Sequence, residues 1–296
     1  MTDLPLDQVR TLLAVADEGT FDAAAAVLHV TPSAVSQRVK ALEQRTGSVL
    51  VTRTKPVRVT ESGQVVVRFA RRLAQLEQDA RVELGLSGAG EPVRLPIAVN
   101  SDSLTTWFLP ALALVPADPP VCFELHREDQ DHTTTLLREG TVMAAVTSSA
   151  TPVQGCLVRP LGALRYVPAA SPAFAARWLT EPLTVSLAEA PVVAYDRRDD
   201  LQDAFVRTLT GGRGASRLRH HVPVSEVFVE AVAAGLGWGM VPLPQATPRL
   251  RAGALVDLAP DRPVDVPLYW QQWKLDSPAL TTVADAVAAT AAEALR

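Results

Sequence analysis

The chain has 296 residues, 48% of them hydrophobic and 20% charged, with a formal net charge of -4. That length suits about two domains, and that composition supports a sizeable core and excludes wholesale disorder. Two cysteines, Cys122 and Cys156, exclude a disulfide framework and lack metal-ligand spacing, so neither cofactor nor metal is expected. The opening MTDLPLDQVR lacks the apolar core of a signal peptide, and no run approaches the ~18 apolar residues of a membrane span, which makes a cytoplasmic protein the expectation.

Charge is unevenly distributed. Residues 31–60 carry six basic side chains against one acidic, whereas residues 85–296 carry 17 against 22. A compact basic patch on an acidic chain suggests one module that meets a polyanion and another that does not.

Leu6, Val9, Leu12, Leu13 and Ala16 recur at helical spacing and predict a first helix ending at Gly19. Thr20 is placed to cap a second, shorter helix burying Phe21, Ala24, Ala25 and Leu28. Thr31 can cap a third, with Pro32 in its first turn, where a missing N–H is harmless. On that helix Val35, Val39 and Leu42 form an apolar stripe, and Ser33, Ser36, Gln37 and Lys40 form a polar one. Gln pairs bidentately with adenine, Ser donates or accepts, and Lys reaches guanine or phosphate, so this face suits a major groove. A solvated helix face would also be polar. The arrangement of short helix, tight turn and capped third helix favours a helix-turn-helix. A β-like stretch over 49–60 then presents Arg53, Lys55 and Arg58 as a basic wing for backbone phosphates.

The run FDAAAAVLHVTPSAVSQRVKALEQRTGSVLVTR resembles the winged helix-turn-helix of LysR-type transcriptional regulators, with Val51 after Leu50 where the family has Phe. The resemblance implies that Pro32, Ser33, Ser36 and Gln37 touch bases or nearby phosphates and that Arg53 belongs to the wing. The candidate DNA-contacting set is Thr31, Pro32, Ser33, Ser36, Gln37, Arg38, Lys40, Arg53, Lys55 and Arg58.

A long helix follows over 61–84, capped by Thr60, with a seam of Val66, Phe69, Leu73, Leu76 and Ala80 alternating by three and four. Packing against the chain's own C-terminal region is one use for such a face. Self-pairing into a homodimer, and thence a tetramer, is the other and is the expectation. Gly85–Gly90 then reads as a hinge.

Beyond it, strands at 93–99, 121–125, 142–147, 166–170, 191–195, 222–224 and 238–241 alternate with helical patterns, which predicts mostly parallel sheets. Ligands of open α/β sheets sit beyond the carboxyl ends of strands. The residues there are Ser101, Asp102 and Ser103, then Glu128 and Asp129, Thr147, Asp196, and Ser225 with Glu226. Acids beside helix N-termini suit a ligand with one carboxylate and excess positive charge, such as a cationic α-amino acid, although capping alone would also place acids there. Trp107, one turn beyond Ser103, can line such a pocket.

The segments VNSDSLTTWFLPAL, EDQDH, APVVAYDRRDDLQ, SEVFVEAV, GLGWGM and DVPLYWQQWKLDSP resemble the ArgP/LysG branch of the LysR-type family. This implies an all-α winged helix-turn-helix domain at 1–60 and a linker helix and hinge at 61–90. It also implies an α/β, periplasmic-binding-protein-like effector domain at 91–296, with subdomain I at 91–163 and 266–296 and subdomain II at 164–265. It implies operator DNA, a lysine- or arginine-like effector and RNA polymerase as partners, control of basic amino-acid export or metabolism genes, and Ser101, Asp102, Ser103, Trp107, Glu128, Thr147, Asp196 and Glu226 as effector contacts. Three alternatives stand beside it: a solute-binding protein or enzyme with an accessory DNA-binding module, a nucleoid-type DNA-binding protein, and a regulator sensing an aromatic carboxylate.

Two further patterns read as structural. Gly235–Gly239 precedes a strand, where a dinucleotide fingerprint should follow one. Glu128, Asp129, Asp131 and His132 lack a second His or Cys at metal-ligand spacing. No catalytic constellation comes with a supporting motif.

Overall fold

The computed structural model describes residues 3–84, 86, 92–118, 120–127 and 133–296. Helix α1 (Leu6–Glu18) buries Val9, Leu12 and Val15 and ends where Gly19 turns left-handed at φ 70°. Leu6, counted in its stripe, is instead 44% exposed. Helix α2 (Phe21–Val27) is capped by Thr20, whose Oγ1 accepts from the Ala23 N–H at 3.1 Å. Helix α3 (Pro32–Thr46) is capped in the same way by Thr31, and its Val35, Val39 and Leu42 are fully buried against α1 and α2. Strands β1 (Val51–Thr52) and β2 (Arg58–Val59) pair antiparallel as the wing. The Glu43 carboxylate accepts from the Leu50 N–H at 2.9 Å, which ties the wing to α3.

Helix α4 (Glu61–Glu83) starts at Thr60, whose Oγ1 accepts from Gly63 N–H. Its 23 residues span about 35 Å. Gly63 passes so close to the wing that an added Cβ would lie 2.0 Å from the Leu50 carbonyl oxygen. Of the predicted seam, Phe69, Leu76 and Ala80 are exposed and Leu73 is half-buried, and only Val66 turns inward. Val66 is buried with Val67 and Ala70 in the DNA-binding core, because that core covers the first three turns of the helix. The open face comprises Val65, Phe69 and Leu76, 42–55% exposed. A third face docks on the chain's own effector region. There Arg72 lies 5.2 Å over the Trp273 ring, Arg71 donates to Thr141, and Ser277 donates to Asp79, while the other end of the Arg71 guanidinium donates back to Asp17 on α1. The proposed hinge, apart from Leu86, lies outside the described residues.

The C-terminal region is built on a seven-stranded sheet and a separate pair of parallel strands. Strand β3 (Val93–Val99) is followed by a single helical run made of α5 (Ser101–Ser103), a π-helical turn (Leu104–Phe108) and α6 (Leu109–Ala113). Strand β4 (Val121–Arg127), helix α7 (Thr133–Glu139) and strand β5 (Ala144–Thr147) complete the first lobe, with β4 and β5 parallel to β3 on either side. Strand β6 (Cys156–Ala170) then runs into a second lobe. This holds α8 (Pro172–Trp178), α9 (Leu183–Glu189), β7 (Val192–Ala194), α10 (Leu201–Thr210), β8 (Arg219–His221), α11 (Ser225–Ala233), β9 (Gly239–Pro242), α12 (Leu243–Arg251) and β10 (Val256–Asp257). Strand β11 (Val264–Trp273) returns antiparallel to β6, and α13 (Pro278–Ala294) closes the first lobe.

The sheet is therefore mixed, because β6 and β11 cross between the lobes and pair antiparallel with their neighbours. The first half of β6 was missed because Pro160 and Gly162 argue against a strand. That half has only β11 beside it, and an edge tolerates proline. The strand expected at 222–224 lies earlier, at Arg219–His221, since Pro223 has no N–H to offer and Val224 already caps α11. Trp238, Trp270 and Trp273 are fully buried, and Phe108 stacks on Trp270. No helix of the described residues is long and apolar enough to cross a membrane.

Candidate functional site

Two surfaces combine the predicted chemistry. On α3, Thr31, Pro32, Ser33, Gln37 and Lys40 are exposed along one face, with Ser36 half-buried among them. Arg53 folds back from the wing: its Nη1 donates to Ser36 Oγ at 3.4 Å and its guanidinium lies 5.4 Å over the Phe21 ring. It therefore sits beside the α3 face, while Lys55 and Arg58 stand exposed on the hairpin. Arg38 turns the other way, 3.8 Å from the Asp7 carboxylate, at the edge of the set.

The second surface is a cavity of about 280 Å³ between the two lobes. Asn100, Ser101, Asp102 and Ser148 line it from the strand ends of the first lobe, and Tyr195, Asp199, Gln202 and Phe228 from the second. Tyr166 and Val266, on the crossing strands, Met240, on β9, and Arg198, Asp200 and Leu201, around Asp199, complete the wall. Asp102 opens the helical run after β3 and is bridged from both sides. The Tyr166 hydroxyl donates to one oxygen at 2.6 Å, and the Ser225 hydroxyl, from the other lobe, donates to the second at 2.5 Å. Thr105 on the π-helical turn donates across the same gap to Glu226 at 3.3 Å.

Burial raises the Asp102 carboxyl above the usual carboxylate range. The two hydroxyls oppose that shift, and the negative charges of Asp199 and Glu226 add to it. Asp199 accepts from the backbone N–H groups of Tyr195 at 2.8 Å and Leu201 at 3.1 Å, and is still raised, again foremost by burial. Two facing carboxyls, each pushed toward neutrality, form a site that a bound cation would stabilise in charged form.

Of the seven predicted effector contacts among the described residues, only Ser101 and Asp102 line the cavity. Ser103 is fully buried behind them. Trp107 belongs to the core, edge-on to Phe108 at 5.8 Å, one helical turn beyond the fully buried Ser103 and on the same inward face. Thr147 is fully buried and accepts from the Ser149 N–H, leaving its neighbour Ser148 at the wall. Asp196 accepts from the N–H groups of Arg198 and Asp199 and so shapes the loop that presents Asp199. Glu226 is exposed at the rim. Glu128, together with Asp129, Asp131 and His132, lies outside the described residues. Sequence reasoning missed Asn100 and Asp199. The signals were present: Asn100 is the residue directly after β3, and Asp199 belongs to the same acidic loop as Asp196. Of the cysteines, Cys122 is exposed, and Cys156 is buried with its thiol pushed up to about 11 by that burial.

Residues 6–64 match the family described as bacterial regulatory helix-turn-helix protein, lysR family, and residues 88–292 match the LysR substrate binding domain. The HTH-type transcriptional regulator LysG of Mycobacterium tuberculosis is 47% identical over 294 residues, covering 98% of this chain and 95% of its own. The lysine export transcriptional regulatory protein LysG of Corynebacterium glutamicum is 42% identical over 289 residues, 98% of each chain. The solved full-length structure of LysG from Corynebacterium glutamicum with bound effector Arg superposes with a TM-score of 0.82 at 41% identity, covering 99% of each chain.

Proposed function

The chain belongs to the lysR family of bacterial regulatory helix-turn-helix proteins, and from that premise we propose that it binds operator DNA under the control of lysine or arginine and governs genes for basic amino-acid export or metabolism. Its named relatives are regulators, not enzymes. The observation that carries the effector reading is the pair of facing carboxyls, Asp102 and Asp199, on opposite lobes of one cavity. Both are raised foremost by burial, with the charges of Asp199 and Glu226 adding to the shift of Asp102 and that of Asp196 to the shift of Asp199, so a cation between them relieves both. An aromatic carboxylate would add a further negative charge to a wall that, among the described residues, holds Asp102, Asp199 and Asp200 against the single cation Arg198. A relative named for lysine export and a relative structure holding arginine support the same class of ligand.

In this reading residues 1–60 bind DNA, 61–90 link and pair, and 91–296 sense, with lobes at 91–163 plus 266–296 and at 164–265. The exposed face of α3 enters the major groove, with Ser33, Ser36 and Gln37 toward bases and Lys40, Arg53, Lys55 and Arg58 toward phosphates. The open face of α4 (Val65, Phe69, Leu76) pairs with a second copy to give a dimer and then a tetramer that meets RNA polymerase in the cytoplasm. Ligand-induced thermal shift across the twenty amino acids tests the effector class. Lysine or arginine should raise the melting temperature most, and a response confined to neutral or aromatic ligands overturns it. Persistence of operator binding over excess random DNA separates an operator reader from a nucleoid-type protein.

A further inference from the structure

Two side-chain amides on the cavity wall are left unused by the contacts described above. Asn100, at the end of β3, is 2% exposed, and neither its Oδ1 nor its Nδ2 has a partner. Gln202, in the first turn of α10 on the opposite lobe, is 1% exposed, and its Oε1 has none. Buried polar atoms are almost always paired, because an unpaired one forfeits its hydration for nothing. Among the described residues with such atoms, these two alone line this cavity.

Their chemistry differs in a useful way. Asn100 offers a donor and an acceptor together, which matches an α-carboxylate beside an α-ammonium. Gln202 offers an acceptor and stands three residues from Asp199, whose carboxylate its side chain helps to stabilise. Each Asp199 oxygen accepts one backbone N–H and the Gln202 side chain donates a third hydrogen bond, leaving one lone pair for a ligand. An amide oxygen beside such a carboxylate forms a short row of acceptors. A planar guanidinium with five N–H donors fills that row more completely than a compact ammonium with three.

We propose that Asn100 and Gln202 are specificity-determining residues of the effector site: Asn100 holds the amino-acid head group, and Gln202, with Asp199, favours a guanidinium side chain over an ammonium. This rests on the basic amino-acid reading given above.

The test is calorimetric titration of the full chain with L-arginine and L-lysine, for the wild type and for Asn100→Leu, Gln202→Met and Gln202→Glu. Melting curves without ligand serve as the folding control. Gln202→Met should weaken arginine roughly 10- to 100-fold and lysine several-fold less, since a hydrogen bond to a charged group is lost. Gln202→Glu, which keeps an acceptor, should retain arginine binding. Asn100→Leu should weaken both ligands by a similar factor of 10 or more and leave their ratio unchanged. An unaltered arginine-to-lysine ratio in Gln202→Met, a collapse of arginine binding in Gln202→Glu, or normal affinity in Asn100→Leu overturns the proposal while leaving the effector class intact. A wild-type chain that binds neither ligand refutes the effector reading itself.

Discussion

Replacing Asp199 with Asn removes one negative charge from the cavity and changes little else in shape. The Asn oxygen can still accept from one of the two backbone N–H groups, of Tyr195 or Leu201, that the carboxylate holds now. A ligand cation about 4 Å from the carboxylate, at an effective dielectric near 20, is held by roughly 4 kcal/mol. Removing one partner of a buried charge pair typically costs about 2–5 kcal/mol, much of it from the partner left unpaired. Asn retains a dipole toward the cation, so about 2–4 kcal/mol is expected, or roughly 30- to 700-fold in Kd for arginine. Without ligand the variant should melt at or slightly above the wild-type temperature, because burial already disfavours the charged form of this acid. Calorimetry with arginine and with citrulline, its uncharged isostere, isolates the charge term: arginine should lose most of its advantage over citrulline. Equal losses for the two ligands would refute the reasoning, because the effect would then be one of shape.

Burial raises both Asp102 and Asp199, so the native state binds protons more tightly than the unfolded chain. The stability these groups contribute is full below the ordinary carboxylate pKa and is lost as pH rises through their raised values. Stabilisation by arginine, read as a melting shift, should therefore grow with pH across that window, and a pH-independent shift would contradict it. Gln37→Ala should cost about 1–3 kcal/mol on operator and relax base preference, whereas Lys55→Ala should weaken all sequences and lower the salt slope by about 1; equal loss on operator and random DNA for Gln37→Ala would remove it from base readout. Phe69→Glu with Leu76→Glu should dissociate the oligomer in sedimentation and weaken operator binding while the effector domain still binds ligand; an unchanged oligomer would exclude this face. Gly63→Ala should lower the melting temperature of the DNA-binding domain, since its Cβ would strike the Leu50 carbonyl; an unaltered melting curve would show that α4 can shift away from the wing at little cost.

What was legible in the sequence was local. Helix caps at Thr20, Thr31 and Thr60 and the glycine stop at Gly19 act over three or four residues, and they are where the pattern put them. The apolar stripe of α3 depends only on helical period, and it is fully buried. Features set by distant neighbours were harder to read. Val66 left the seam because the DNA-binding core, not a partner helix, reaches the start of α4. The first half of β6 was hidden by residues that are tolerable only at an edge, and being an edge is a property of the sheet. In the cleft, strand-end reasoning found Asp102 but favoured Asp196 over Asp199, since the choice depends on which loop carboxylate turns inward.

The central claim is that the cavity between Asp102 and Asp199 selects a cationic amino acid. Calorimetric titration of the full chain with L-lysine and with L-norleucine tests it most directly, because norleucine keeps the carbon chain and the head group and lacks the side-chain charge. The facing carboxyls predict measurable lysine binding with norleucine at least 30-fold weaker, the loss of about 2 kcal/mol that an unpaired buried carboxylate implies. Equal affinity for the two ligands would contradict the claim and leave the DNA-binding assignment standing.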